Sequence, residues 1–296
     1  MPHNRDLELA QPKKDVALGT DLPPATRLPA TLAAPLLCAW HHRHLARRLI
    51  RREIEARFRG TVLGKVWAGI APLMMLGLYT FVFGVLIQPQ WQAEVSDKFT
   101  VPLIYFSGLI LFQFFLDVFS RAPGIIRDHA VYVKKVVFPV EIFAWTLVGA
   151  ALVRLAIGFG MLLLFHLLLK GLPPPALLLV PLFVLPLALM SAGIVWFLAG
   201  IGTYVRDVTQ IVMVLTPVMM FVSPVFFPLS AVPEPARSLL YANPLSFPIE
   251  AVRAVLFRAE FGNWAGLAAY TLAALLMAGL GYRFFMRVRP GFADVL

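Results

Sequence analysis

Long apolar segments alternate with short polar ones along most of this chain. Four of these segments contain no Asp, Glu, Lys or Arg, and two more contain one charge each. An α-helix needs about 20 residues to cross a hydrocarbon core about 30 Å thick, and there its backbone groups must be paired within the segment. The pattern predicts an all-α membrane protein with six transmembrane helices, at residues 66–88, 101–120, 142–169, 176–205, 208–229 and 264–286.

Three other segments complete the predicted architecture. Residues 1–35 are rich in Pro and polar residues without apolar periodicity, which predicts a flexible tail. Residues 38–59 predict an amphipathic helix at a membrane surface, with a solvated charged helix as the alternative. Its pattern leaves room for a break near Glu53. Short apolar runs between prolines at 228–263 predict re-entrant helices between the fifth and sixth spans.

The distribution of charge predicts an orientation rather than a nucleic-acid partner. The net charge is +10, from 26 Lys and Arg against 16 Asp and Glu. If the N-terminus is inside, 20 of the basic residues flank inner helix ends, 5 flank outer ends, and Arg154 lies within a span. This bias is the positive-inside signal. We therefore predict that both termini are cytoplasmic and that the chain binds no nucleic acid.

The sequence contains no recognisable catalytic, nucleotide or metal site. Residues 60–65 resemble a phosphate-binding loop, but three residues rather than four separate the glycines, and Val66 follows the lysine. His41, His42 and His44 lie among arginines, whose positive field opposes a metal cation. The carboxylates are scattered without a paired arrangement. We expect a chain that is not an enzyme and that holds no metal.

Asp117 and Arg154 are the charges inside predicted spans, and such residues are functional candidates. Asp117 lies within a turn of the cytoplasmic end, whereas Arg154 follows Ile142 by about 12 residues, or ~18 Å. We therefore expect that they do not meet. Asp117 would hold cytoplasmic helix ends together, and Arg154 would face a polar interior. Small residues predict close helix packing at Gly158, Gly160, Gly200, Gly202, Ala188 and Ala192.

Several short motifs together resemble the ABC-2 type permeases that export bacterial polysaccharides. They are, in chain order, RFRGTVLG (57–64), Trp67, Pro72, YTFVFG (79–84), Phe138-Pro139, YVRDV (204–208) and Asn243-Pro244-Leu245. That family includes the membrane subunits of O-antigen, teichoic acid and capsule exporters, and the first-span motif looks closer to the O-antigen branch. The resemblance extends from about Arg43 to the C-terminus, and the long N-terminal tail departs from it.

The resemblance implies a homodimer that works with two separate ATP-binding cassette subunits. ATP and Mg would be bound by those partners, so this chain would need no cofactor of its own. A coupling helix that docks into the ATPase is implied at Ile125, Ile126, Arg127, Asp128, Val131 and Lys134. Structural roles are implied for the motif residues Arg206, Asp207, Asn243 and Pro244.

The implied cargo is a polyprenyl-diphosphate-linked glycan in the bacterial inner membrane, handled among membrane lipids. Basic side chains where the first span meets the headgroups are expected to attract the diphosphate by charge-assisted hydrogen bonds; they are Arg57, Arg59 and Lys65. Aromatic side chains are candidates for stacking on sugar rings at the dimer interface, although each has packing or lipid contact as an alternative role. They are Tyr79, Phe83, Phe112, Phe114, Phe115 and Trp196.

Three functions remain open from the sequence. The first is export of a lipid-linked polysaccharide, with O-antigen as the leading cargo. The second is an ABC-2 permease for capsule, drug or lipid cargo. The third is a membrane-bound enzyme of glycan synthesis, which predicts activity without any ATPase and a requirement for the scattered carboxylates. The identity of the glycan does not follow from the sequence.

Overall fold

A computed structural model describes residues 34–60, 62–82, 100–135, 138–258 and 263–296. Every regular element in these ranges is helical. The α-helices are α1 (Ala34–His41), α2 (Arg43–Phe58), α3 (Trp67–Phe81), α4 (Thr100–Phe119), α5 (Ile125–Asp128), α6 (Ala130–Lys135), α7 (Ile142–Lys170), α8 (Val180–Tyr204), α9 (Asp207–Phe221), α10 (Glu234–Ala242), α11 (Ser246–Arg253), α12 (Trp264–Val288) and α13 (Phe292–Val295). Short 3-10 helices occupy Gly64–Val66, Ala122–Gly124, Pro175–Leu179, Leu229–Ala231 and Arg289–Gly291, and Ala254–Arg258 forms a π-helix.

In the described part of the chain, four helical segments are long and apolar enough to cross a membrane. They are built around α4, α7, α8 and α12, as the apolar pattern predicts. Helices α3 and α9 are also apolar but have 15 residues each, or about 22 Å of helix. The six-span arrangement therefore stays a prediction. So does the flexible tail over residues 1–33, which lie outside the described ranges, whereas the prediction is wrong for Ala34 and Pro35, which are buried at the start of α1.

The fifth predicted span is shorter than its apolar run. The run continues to residue 229, but α9 ends at Phe221. Pro224 and Pro228 have no N–H to donate to a helical carbonyl and disfavour helical backbone at the residue before them, so a pair of them opposes continuation, although α9 accommodates the single Pro217. The side-chain amide of Asn243 donates to the carbonyl of Val222 at 3.1 Å and satisfies one of the acceptors at this helix end. The prediction of a span up to residue 229 is therefore wrong.

The predicted surface helix at 38–59 consists of two helices, α1 and α2, which meet at His42. Helix α1 belongs to the core, where Cys38 is buried and Trp145 Nε1 donates to the carbonyl of Pro35 at 3.0 Å. Burial, reinforced by the nearby Glu141 carboxylate, raises the pKa of the Cys38 thiol to about 12. The thiol is therefore neutral, and its role is packing.

Helix α2 lies along α7 and has the predicted amphipathic character. Its apolar arc is buried or half-buried, and a Cβ added to Gly149 of α7 would collide with Ile50. The helix continues without a break at Glu53, which is half-buried and pairs with Arg121. The opposite arc is exposed to solvent, at Arg47, Arg48, Arg51 and Arg52.

Among the described helices, α8 and α12 share the most extensive contact, and glycines allow their backbones to approach each other closely. A Cβ on Gly193 would lie 2.6 Å from the Met277 backbone, and one on Gly281 would overlap the carbonyl of Gly193. Close packing is confirmed at several predicted positions, where an added Cβ would meet a neighbouring segment within about 3 Å; these are Gly158, Gly200 and Gly202. It is wrong at Gly160, where an added Cβ would meet no other segment of the described residues within 4 Å.

A buried guanidinium holds the end of the bundle opposite α2. Arg253, at the end of α11, donates to the carbonyls of Pro224 and Val225, both at 2.6 Å, and to the carbonyl of Ile104 at 3.3 Å. Glu250 lies 3.3 Å away as its counter-charge. Arg253 therefore ties α11 to α4 and to the segment that follows α9. Two short helices, α10 and α11, thus lie where re-entrant helices are predicted.

The glycine contact predicts opposite effects for two Gly→Ala substitutions. Gly281→Ala would force α8 and α12 apart, and overpacking of this kind costs about 1–3 kcal/mol. Gly160→Ala adds a methyl group in open space and should be neutral or stabilising by up to about 1 kcal/mol. Unfolding followed in detergent micelles measures both, and equal stability of the two variants would contradict the packing account.

Candidate functional site

Ionic contacts between helices gather at one end of the bundle, here called the basic end; it carries Arg57, Arg121, Arg127, Arg206 and Arg289. Glu53 of α2 pairs with Arg121, just after α4. Glu141, at the start of α7, lies 3.0 Å from Arg289, just after α12. The basic end is thus held by ion pairs that join segments far apart in sequence.

At this end, Asp117 of α4 joins two arginines from two other helices. Its Oδ2 lies 2.6 Å from Arg154 Nε of α7, and its Oδ1 lies 3.4 Å from Arg57 Nη1 of α2. The Asp117 and Arg154 side chains are only 12% and 19% exposed. The prediction that Asp117 and Arg154 do not meet is therefore wrong. Asp117 joins the end of α4 to the end of α2, as expected of a residue that links helix ends, but its closer partner lies in the middle of α7.

The register of α7 explains this correction. With 29 residues, α7 is about 43 Å long, which exceeds the thickness of a hydrocarbon core. Gly158 of α7 lies against Ile110 of α4, so the first turns of α7 continue past the level of Asp117. Long side chains on a helix also lean toward its N-terminus. Arg154 therefore reaches back along α7 to Asp117.

Two guanidinium groups around one carboxylate leave this cluster with a net positive charge. Arg154 Nη2 is buried and has no hydrogen-bond partner among the residues that the structure describes. An unpaired buried donor is costly, and Arg presents its donors in a fixed planar fork that suits carboxylate and phosphate oxygens. The cluster can therefore accept a further anionic group.

A cavity of about 580 Å³ opens beside this cluster, in the cleft between α3, α4 and α7. Its walls are mainly apolar and aromatic, from Trp67, Ala71, Pro72, Met75, Phe106, Leu109, Ile110, Phe112, Phe114, Leu116, Leu155, Ile157, Gly158 and Met220. Its polar lining comes from Arg57, Gln113, Asp117 and Arg154. A mainly apolar pocket with a few convergent polar groups is the usual form of a small-ligand site.

The structure places the predicted path residues in different surroundings. Arg57, Arg154, Phe112 and Phe114 line the cavity, whereas Arg59 is exposed away from it. For Lys65 and Tyr79 only the backbone is described, and Phe83 lies outside the described residues. These last three stay predictions.

Two of the aromatic path candidates pack inside the chain. Trp196 is 1% exposed, donates from Nε1 to the Glu141 carbonyl at 3.0 Å, and meets Tyr282 edge to face. Phe115 is 2% exposed and stacks on Phe119. Their assignment to a substrate path is corrected accordingly, because their rings are already covered by neighbouring helices of this chain.

The predicted coupling segment divides into an inner and an outer face. Ile125 and Ile126 are buried in the core, and Arg127 Nη2 donates to Thr209 Oγ1 of α9 at 2.8 Å. These side chains hold the segment onto the bundle, so Ile125 and Ile126 cannot be docking contacts. The outer face carries the exposed side chains of Asp128, Val131 and Lys134.

The predicted structural residues lie at two helix junctions. Arg206 and Asp207 are exposed at the start of α9, where the carboxylate of Asp207 favours the helix N-terminus. Asn243 is buried between α10 and α11 and accepts from the Leu245 N–H at 2.9 Å. The carbonyl of Pro244 accepts from the Tyr270 hydroxyl of α12 at 2.7 Å.

Sequence reasoning missed Gln113 and Met220 as cavity residues. Gln113 precedes Asp117 by four positions on α4, and residues at this spacing share one helix face. That spacing is a readable signal. Met220 of α9 gives no comparable signal, because only tertiary packing brings α9 to the cleft.

Comparison with known proteins defines the class of this chain. The sequence profile of the ABC-2 type transporter family matches residues 44–257. The chain therefore belongs to that family, which confirms the resemblance, and it is a multi-pass membrane protein. It is also 25% identical over 257 residues to the O-antigen export system permease protein RfbA of Myxococcus xanthus. The alignment covers 86% of this chain and 96% of that relative.

The Asp117–Arg154 pair predicts strong coupling between two substitutions. Asp117→Asn leaves the largely buried Arg154 without its counter-charge, and Arg154→Gln leaves Asp117 with only the more distant Arg57, so each should lower the free energy of unfolding by about 3 kcal/mol. The double variant should lose less than the two single losses together, because it leaves only the half-exposed Arg57 without its carboxylate. Glu55→Gln, which breaks the exposed Arg51–Glu55 pair, is the control and should have no measurable effect. Additive losses in unfolding experiments would contradict the pairing.

Proposed function

We propose that this chain is the permease subunit of an ABC transporter that exports a lipid-linked polysaccharide, with O-antigen as the cargo, across the bacterial inner membrane. The alignment with the O-antigen export permease carries this proposal, because it spans nearly the whole of that protein. Family membership and the name of that relative indicate a transport subunit, which counts against an enzyme of glycan synthesis.

A lipid-linked glycan consists of a long apolar chain, a diphosphate and a polymer of sugars. The described residues offer a matching set of surfaces in one cleft, with apolar walls next to Arg57 and Arg154. The combination supports a cargo that is partly lipid and partly anionic. A small apolar drug would use the walls but would have no need of the arginines.

We propose that two copies of this chain form the conduit, with α3 and α9 as the first and fifth spans. Helix α9 is exposed on most sides, and within it only Val212 is buried. An apolar helix shorter than the hydrocarbon core can be accommodated by oligomerisation. A second copy placed against α9 would cover its exposed side chains, which include Ile211, Met213, Val214, Leu215, Val218 and Phe221.

We propose further that ATP and Mg are bound by two separate ATP-binding cassette subunits, and that both termini are cytoplasmic. The positive-inside bias supports this orientation, because the basic end carries most of the Lys and Arg. The outer face of α5 and α6, with Asp128, Val131 and Lys134, would then face the ATPase. Helices α10 and α11 would lie in the outer leaflet as re-entrant helices.

Reconstitution with the partner ATPase tests the proposed function. In proteoliposomes that contain a polyprenyl-diphosphate-linked glycan, the complex should move the glycan across the bilayer only when ATP is supplied. The permease alone should neither move it nor hydrolyse ATP. ATP-driven movement of a drug or a simple phospholipid in place of the glycan would contradict the assigned cargo, and glycan synthesis by the permease alone would contradict a transport role.

Charge reversal at the outer face of the coupling segment tests the ATPase contact. Lys134→Glu reverses a charge at the proposed contact, and lost charge complementarity weakens the affinity of the permease for the ATPase. Cargo-stimulated ATP hydrolysis by the complex should therefore fall at least about threefold. Lys134 is preferable to Arg127, whose substitution would also release Thr209 of α9. Lys170→Glu, the same substitution at the opposite end of the bundle, is the matched control and should leave hydrolysis unchanged. The contact is contradicted if both variants behave alike.

A further inference from the structure

The cleft between α3, α4 and α7 continues beyond the cavity at the basic end. A second cavity of about 500 Å³ lies toward the opposite end of the same three helices. Its lining is almost wholly apolar, from Leu73, Leu76, Gly77, Thr80, Phe81, Pro102, Leu103, Phe165 and Leu169. The hydroxyl of Thr80 is already bound to the Leu76 carbonyl at 2.7 Å. This cavity offers nothing to a polar ligand.

The two cavities follow one another along each helix. On α3 the first reaches from Trp67 to Met75 and the second from Leu73 to Phe81. On α7 the first lies at residues 154–158, and the second includes Phe165 and Leu169. The rise along α3 from Trp67 to Phe81 is about 21 Å. The two cavities thus succeed one another over roughly that length, here called the track, which is lined mainly by apolar side chains and has positive charge at one end.

The charged end of the track has a donor that the described residues leave unpaired. Arg154 Nε is held by Asp117 at 2.6 Å, which fixes the guanidinium plane. Nη2 of the same group is buried without a hydrogen-bond partner in the described part of the chain. Arg57, whose side chain is 47% exposed, adds a second and more mobile cation. Two cations and one carboxylate leave a net charge of +1 to be neutralised.

We infer that this track binds a phosphate group carried on a long apolar chain. Arg154 donates to the phosphate from Nη2, Asp117 orients Arg154, and Arg57 provides further charge. The apolar chain lies along α3, α4 and α7 toward the second cavity. Such a ligand pairs the free donor with an anion and covers the apolar walls, whereas a free phosphate ion would leave the walls empty. Charge-assisted hydrogen bonds from Arg to phosphate are among the strongest available in proteins.

Two membrane components share this chemistry: the isoprenyl diphosphate of a lipid-linked glycan and an ordinary anionic phospholipid. The inference that the ligand is the cargo rests on the proposed function. The existence of the site does not rest on the proposed function, because a phospholipid would need the same donor and the same apolar walls. Binding is therefore measured on the permease alone, without ATP and without transport.

The test uses the full-length permease in detergent micelles and three probes: a C20 isoprenyl diphosphate, phosphatidylglycerol and inorganic diphosphate. Arg154→Gln should weaken binding of the isoprenyl diphosphate at least about tenfold, the loss of one good charge-assisted contact. The affinity of Arg154→Lys for the isoprenyl diphosphate should lie between those of the wild type and Arg154→Gln, because lysine keeps the charge but lacks the planar guanidinium group. Arg283→Gln, which removes an exposed arginine of α12, is the control and should change binding less than twofold.

A second variant tests the apolar track without touching the charged cluster. Ala71 lines the first cavity on α3, and the indole of Ala71→Trp would occupy part of it. This variant should weaken the isoprenyl diphosphate about tenfold and leave the much weaker binding of inorganic diphosphate unchanged. Because Ala71→Trp keeps the Asp117–Arg154 pair that Arg154→Gln breaks, it also distinguishes a loss of ligand contact from a loss of folding.

The outcomes separate this inference from the proposed function. At least tenfold preference for the isoprenyl diphosphate, dependent on Arg154, supports a cargo site; equal Arg154-dependent affinity for phosphatidylglycerol supports the site and assigns it to membrane lipid. Unchanged binding of both lipids to folded Arg154→Gln and Ala71→Trp proteins overturns the inference. If binding follows the prediction while the wild-type complex fails to export any glycan, the proposed function fails and the site stands.

Discussion

A guanidinium among apolar helices requires an anion, and Asp117 supplies one to Arg154 at 2.6 Å. Removal of Asp117 would leave Arg154 largely buried without its counter-charge, so this pair is costly to break and adds to the apolar contact of Gly158 with Ile110 between α7 and α4. Arg57 then attaches the end of α2 to the same carboxylate. The cleft between α3, α4 and α7, and the cavity within it, depend on the register that this cluster sets.

The rest of the bundle provides a rigid frame around that cleft. Glycines let α8 and α12 approach until backbones touch, and Arg253 binds three carbonyls at the end opposite the charged cluster. Such contacts have little freedom to adjust, because a packed core is close to a single arrangement. By contrast, α3 and α9 have many exposed apolar side chains. Among the described helices that line the cleft, α3 and α9 are therefore less constrained than α4, as the proposed export path between two copies would require.

The sequence allowed much of this architecture to be predicted, and the errors have identifiable causes. Long runs with at most one charge predicted α4, α7, α8 and most of α12 well, because a bilayer demands length and apolarity together. Hydropathy could not reveal that α9 ends at Phe221, because the missing N–H groups of the prolines that follow have no effect on hydropathy. Arg154 was predicted to miss Asp117 because depth was counted from the start of α7, and only the packed register shows that α7 continues past α4. Trp196 shows the same limit, since an aromatic side chain in a span gives no sign of which neighbour covers it.

A structure of the permease with its ATPase subunits and a bound isoprenyl-diphosphate-linked glycan, determined by electron cryomicroscopy, would test the central claim most directly. The account predicts phosphate density about 3 Å from Arg154 Nη2, with the isoprenyl chain running between α3, α4 and α7. Phosphate density at the exposed arginines of α2, with the cleft empty or closed, would contradict it.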